Sequence, residues 1–218
     1  MKRLTLTLCV LSFVFFGCNS DNKPVDEATS KTDSPVAEKA EPSPPSAKPK
    51  DSAEMMKAWQ EYMTPSDMHK MLAKSNGTWT EEMTMWMSPD APPTKSTATA
   101  VNKMILGGRY QESKHTGKFN GMPFEGISTL AYDNAKKTFV STWVDNMSTG
   151  LMTMEGTYDE GSKTMTLKGK AFDPMKGQEC DVRETFKMID DNTQQMEMFT
   201  TADGKEYKSM EILLKRKK

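Results

Sequence analysis

The sequence predicts an all-β domain, an antiparallel up-and-down barrel of about ten strands behind a short helical segment. Three observations predict it. From Gly77 onward the apolar period is two, the spacing of a strand with one buried face. Turn signals recur every eight to twelve residues or so, at Gly107-Gly108, Asn120-Gly121, Asp133-Asn134, Asp145-Asn146, Asp159 to Gly161, Asp173 to Gly177, Asp190 to Asn192 and Asp203-Gly204. The connections are short, which makes sequential strands antiparallel neighbours. Closing the sheet on itself leaves no exposed edge; a two-sheet sandwich is the rival arrangement.

The elements follow in chain order. Lys2 and Arg3 precede an uncharged apolar run over 4–16. It is shorter than the roughly 20 residues a spanning helix needs, and fits the core of a secretory signal over 1–17. Phe15-Phe16-Gly17-Cys18 resembles a bacterial lipobox, which implies cleavage before Cys18 and a lipidated cysteine as the mature N-terminus. An ordinary secretion signal with an incidental cysteine is the alternative. Asn19 after the cysteine implies, under the bacterial sorting rule, the outer membrane facing the periplasm. Cleavage leaves 27 basic residues facing 30 acidic ones, a net charge of −3. That balance argues against a nucleic-acid partner.

Residues 18–50 read as a disordered tether. Residues 19–50 carry six of the twelve prolines and no aromatic residue, too little apolar surface to offset the entropy of ordering. Extended at about 3.1 Å per residue, the tether would reach on the order of 100 Å.

The domain occupies 51–218. Asp51 and Glu54 fit a capping arrangement for a helix to Met63, with Met55, Met56, Trp59 and Met63 on one broad face. Thr64 as cap and Pro65 as first helical residue restart the chain, and Met68, Met71 and Leu72 form the second apolar face. Strands are expected at 78–87, 96–106, 109–118, 123–132, 137–145, 149–158, 163–172, 180–189, 194–201 and 206–215.

Alternation also assigns faces. Trp79, Glu81, Met83, Met85 and Met87 share one; Arg109, Gln111, Ser113 and His115 another; Phe139, Ser141, Trp143 and Asp145 a third; Met196 and Met198 a fourth. Pointing inward, they would line an interior with room for one small ligand. The candidate ligand contacts are therefore Trp79, Glu81, Met83, Met85, Arg109, His115, Trp143 and Asp145. Buried charges need partners, so Glu81, Arg109, His115 and Asp145 are expected to pair or to touch the ligand.

Gly77-Thr78-Trp79 resembles the Gly-x-Trp opening of calycin barrels. The longer strings TPSDMHKMLAKSNGTW (64–79), MILGGRY (104–110), PFEGISTLAYDN (123–134), FVSTWVDNMSTG (139–150) and EGTYDE (155–160) together resemble the domain of unknown function 1579 family, over about residues 52–218. The resemblance implies a calycin-like barrel and no settled activity.

No catalytic constellation is legible: there is no Gly-x-Ser-x-Gly elbow and no phosphate-gripping glycine loop. Glu81 and Asp145 are a candidate carboxylate pair, with a structural role as the plainer reading. His115 is a candidate haem ligand against the plainer reading of a hydrogen-bonded histidine; no cofactor is assigned. His69 is read as a helix-surface or helix-to-barrel contact. No metal-ligand spacing links the two histidines and Cys180, and no internal disulfide is expected. The twenty methionines read first as flexible core filler, then as a soft-metal site for Cu(I) or an oxidant buffer. Two functions follow: a membrane-tethered barrel holding a small hydrophobic or aromatic ligand, and a structural or partner-binding lipoprotein with a filled barrel. Oligomeric state is not legible.

Overall fold

A computed structural model describes residues 51–218. The expected signal segment 1–17, the expected lipidation site Cys18 and the expected tether 18–50 lie outside the described residues. Two short helices precede ten strands. They are α1 (Ser52–Met63), α2 (Asp67–Ala73), β1 (Gly77–Met85), β2 (Thr94–Ile105), β3 (Tyr110–Phe119), β4 (Met122–Asp133), β5 (Thr138–Asp145), β6 (Met152–Asp159), β7 (Thr164–Asp173), β8 (Gln178–Asp190), β9 (Thr193–Ala202) and β10 (Lys205–Arg216). Every strand pairs antiparallel with its chain neighbours, and β1 closes onto β10. The chain is thus an up-and-down barrel with no free edge, as the alternation predicts, and the sandwich is excluded.

The hairpin turns are set by the residues that signalled them. Asp133, Asp159, Asp173 and Asp190 each accept backbone N–H groups of their own turns, the local bonding that makes Asp a turn former. In the Asn120-Gly121 hairpin both residues have positive φ, 48° and 82°, as a two-residue turn requires.

Asp51 caps α1 through a 2.8 Å bond from the Glu54 amide. The second helix starts later than expected: Ser66, not Thr64, is its N-cap, and His69 Nδ1 accepts the Ser66 N–H at 3.0 Å. Pro65 therefore precedes the cap. α1 buries none of its residues, whereas α2 plugs one end of the barrel. Leu72 is 3% exposed in a cluster with Phe139, Met154, Met165, Leu167 and Val182. His69 is buried and packs edge-on against Tyr132 at 5.9 Å, the helix-to-barrel contact of the two expected alternatives.

Trp79 completes the plug. It is fully buried, and its indole N–H donates to the Ser75 carbonyl at 2.9 Å. The Arg216 guanidinium lies 4.2 Å over its ring and donates to the carbonyls of Lys74, Asn76 and Asp191. Gly77 has φ 123°, and a Cβ there would meet Arg216 Nη1 at 3.0 Å, so the Gly-x-Trp spacing serves this clamp. Gln111 and Gln194 tie the last turn of α2 and the linker after it to the wall, donating to the Leu72 carbonyl and the Ser75 hydroxyl.

Candidate functional site

The strand register sorts the ten strands into an inner and an outer face. The outer face carries ion pairs such as Arg183 with Glu206 and Lys215 with Glu82, which add little stability in water. The inner face divides along the barrel axis. Toward α2 it is packed shut by the two buried clusters, one around Leu72 and Phe139, the other around Trp79, Ala100, Ile212 and Leu214. Farther along the axis, inward residues such as Met83, Ser128, Trp143, Met152 and Met198 are only partly buried. An inner-face residue of a closed barrel that keeps accessible surface borders a space reachable by water. That space is the candidate site.

Glu81, His115 and Glu184 are three of its ionisable groups. Glu81 on β1 is 2% exposed and accepts a 3.0 Å bond from His115 Nδ1 on β3. The pair is made possible by Ala98 and Ala100 on the intervening β2, which stand opposite Glu81 and His115 and are too small to separate them. Glu184, on β8, faces inward between Leu167 and Met198. Protein encloses its carboxyl, yet the residue retains some accessible surface; both hold if that surface borders an internal void rather than bulk solvent. Burial pushes its pKa up to about 7, with His115 pulling the other way.

An aromatic wall stands on one side. Trp143 lies edge-on to His115 at 5.1 Å and stacks with Phe124 at 6.3 Å. Its indole N–H donates to Asp145 at 2.7 Å, which fixes the ring. Gly126 leaves the space: a Cβ there would meet Trp143 at 2.5 Å.

Of the residues expected to contact a ligand, Glu81, Met83, Met85, His115, Trp143 and Asp145 share the inner face. Trp79 shares it too but is spent on the plug. Arg109 does not belong. It sits in the turn before β3, exposed, donating to the Leu106 carbonyl at 3.0 Å, because β3 begins only at Tyr110. Met87 likewise lies past the end of β1 and is 64% exposed. Glu81 and Asp145 do not pair; each has its own donor. Among the described residues no three His, Cys, Asp or Glu side chains converge as metal ligands, and Cys180 is a free thiol.

Glu184 is an inner-face carboxyl that sequence reading missed. The signal was present: in D181-V-R-E-T-F186 it shares parity with Val182 and Phe186. Asn102 was missed as well. It is 7% exposed on the inner face of β2, with an unpartnered Oδ1.

Two surface concavities lie outside this space. One is lined largely by outward residues, among them Lys168, Asp181, Arg183 and Glu206; the other by Met55, Ala58, Trp59 and Tyr62 of α1. Among the described residues no helix is long and apolar enough to cross a membrane.

Comparison with known proteins bears on the fold. Residues 64–216 match the model of a family described as "Protein of unknown function (DUF1579)". No curated protein matches the chain. The crystal structure of Rv2717c from M. tuberculosis is similar at a TM-score of 0.52 and 14% identity, over 71% of this chain and 100% of that one; at that identity the likeness concerns the fold alone. A redesigned β-barrel matches at 15% identity over 67% of this chain and 96% of its own, but its TM-score of 0.37 carries no argument.

Proposed function

The chain belongs to the DUF1579 family, and from that premise we propose that it is a lipid-anchored envelope protein whose barrel binds a small hydrophobic or aromatic molecule. The observation that carries the binding reading is the partly accessible inner face away from α2, which Met83, Met85, Met152 and Met198 share with Trp143. Methionine fills irregular space and adapts to what enters it, and an apolar concavity with a few convergent polar groups is the usual form of a small-molecule site. The anchor rests on the lipobox-like Phe15-Phe16-Gly17-Cys18. In this reading Cys18 carries the lipid, the tether spans the gap, and the barrel works in the periplasm beside the outer membrane.

Native mass spectrometry of the full chain extracted from its host tests both parts. The expected spectrum shows a mature chain beginning at lipidated Cys18 and a small-molecule adduct lost on denaturation. A chain starting elsewhere removes the anchor; a clean apo mass from every preparation removes the binder.

A second reading has one observation of its own. The face of α1 is exposed, with Met56 and Trp59 at 71% and 59%, and α1 lies before the residues the family model matches. An unpartnered apolar helix face of this kind favours a lipoprotein that docks another protein. Cross-linking from position 59 in intact cells separates the two readings, since a ligand-binding barrel alone yields no specific adduct.

A further inference from the structure

We propose that the molecule held in the barrel carries a protonated amine, and that Glu184 receives it; the inference rests on reading the inner space as a binding site. Among the described residues the inner face carries acids and, apart from Lys205 at the exposed open rim of β10, no free cation. Glu81 stands on β1, Asp145 on β5 and Glu184 on β8, with the imidazole of His115 on β3. Arg216 of β10 is at the plugged end, and its guanidinium is already committed to the Trp79 ring and three carbonyls. Burial holds Cys180, Tyr158 and Tyr207 toward their neutral forms, Asp173 adds a further acid at the open end of β7, and β2 and β9 present no ionisable group inward.

The acids differ in what they already hold. Glu81 accepts from His115. Asp145 accepts from the Trp143 indole and from the Met147 amide. Glu184 stands between Leu167 and Met198 with protein around it, and among the described residues neither a hydrogen bond nor an ion pair reaches its carboxyl. An enclosed carboxylate without a partner is costly, and a donor arriving with the ligand relieves that cost.

An ammonium group fits this arrangement. It has three donors and a charge opposite to Glu184, and hydrogen bonds to ionised groups are among the strong ones. Trp143, stacked on Phe124, offers an aromatic surface to the apolar body of the ligand or to the cation itself. A fatty acid or other carboxylate would meet these acids, with a free lysine only at the exposed rim, Lys205.

The test titrates the full chain calorimetrically with three probes of one shape: naphthylmethylamine, naphthylmethanol and naphthoic acid. At pH 8 the amine should bind roughly tenfold tighter than the alcohol, a difference one charge-assisted hydrogen bond supplies, and the acid should bind weakest. Glu184→Gln should abolish the amine's advantage and leave the alcohol unchanged. On the unaltered protein, lowering the pH to 5.5 should shrink the same advantage, because Glu184 takes up its proton. Equal binding of amine and alcohol would mean that Glu184 is satisfied by water alone, and overturns the proposal. So does an acid that binds as tightly as the amine, or a Glu184→Gln protein that keeps the preference. If none of the three binds, the binding-site reading itself falls with it.

Discussion

His115 Nδ1 lies 3.0 Å from a carboxylate oxygen of Glu81, inside the barrel and across an intervening strand. Glu81 is 2% exposed, so the bond is its only compensation for lost water among the described contacts. Removing one member of a buried pair leaves the other uncompensated, at about 3–5 kcal/mol. His115→Ala should therefore cost on the order of 3 kcal/mol in urea unfolding, whereas the double replacement Glu81→Leu with His115→Phe should cost distinctly less. Additive losses in that cycle would show the two groups to be independent.

Glu184 and His69 make opposite contributions to pH dependence. For Glu184 the folded pKa is raised from 4.5 to about 7. Its contribution is therefore fully present below pH 4.5 and lost as pH rises through 7, at most about 3 kcal/mol for a shift of that size. Glu184→Gln should raise the melting temperature at pH 8 and leave it nearly unchanged at pH 4.

The folded pKa of His69 is lowered, first by burial and then by the charge of Arg109. The unfolded chain then binds the extra proton, so stability falls as pH drops below about 6.5. His69→Gln should flatten that acid limb in thermal melts from pH 5 to 7. An unchanged limb would place its origin elsewhere.

Gly126 and Trp143 share one space, with only 2.5 Å between a Cβ at 126 and the indole. Gly126→Ala should destabilise by about 1–3 kcal/mol, the usual cost of overpacking. Adding Trp143→Leu should recover part of it. A neutral Gly126→Ala would show that the ring moves freely, contrary to its bond with Asp145.

The two N-terminal tryptophans should behave oppositely. Trp59 is 59% exposed on α1 and Trp79 is fully buried in the plug. Trp59→Ala should stay within about 0.5 kcal/mol, as surface changes do, whereas Trp79→Ala should cost about 3–5 kcal/mol. Chemical denaturation of the two variants in parallel checks this.

The barrel was legible because its signals are local. Period-two runs such as W79-T-E-E-M-T-M85 and turn residues such as Asp173 act through neighbouring backbone, so strand number and face followed from sequence. Strand ends were less legible. Arg109 lies one residue before β3, where the Gly107-Gly108 turn still governs the backbone and turns the side chain out. The site itself was half legible: parity put Glu81 and His115 on inner faces, but their contact depends on small alanines at 98 and 100 in a strand between them. Glu184 escaped notice because its environment comes from Leu167 and Met198, on strands that sequence could order but not align. The exposure of α1 was also hidden, since an apolar helical face predicts burial and nothing local says what would bury it.

Methionine methyl NMR tests the central claim most directly, because methionines stand on both sides of the wall. Met83, Met152 and Met198 face the inner space; Met87 and Met175 are 64% and 83% exposed outside it. On titration with naphthylmethanol, the methyl resonances of the inner group should shift and saturate together while Met87 and Met175 stay in place. Shifts confined to the outer methionines, or an inner group that never moves, would contradict a ligand-binding interior.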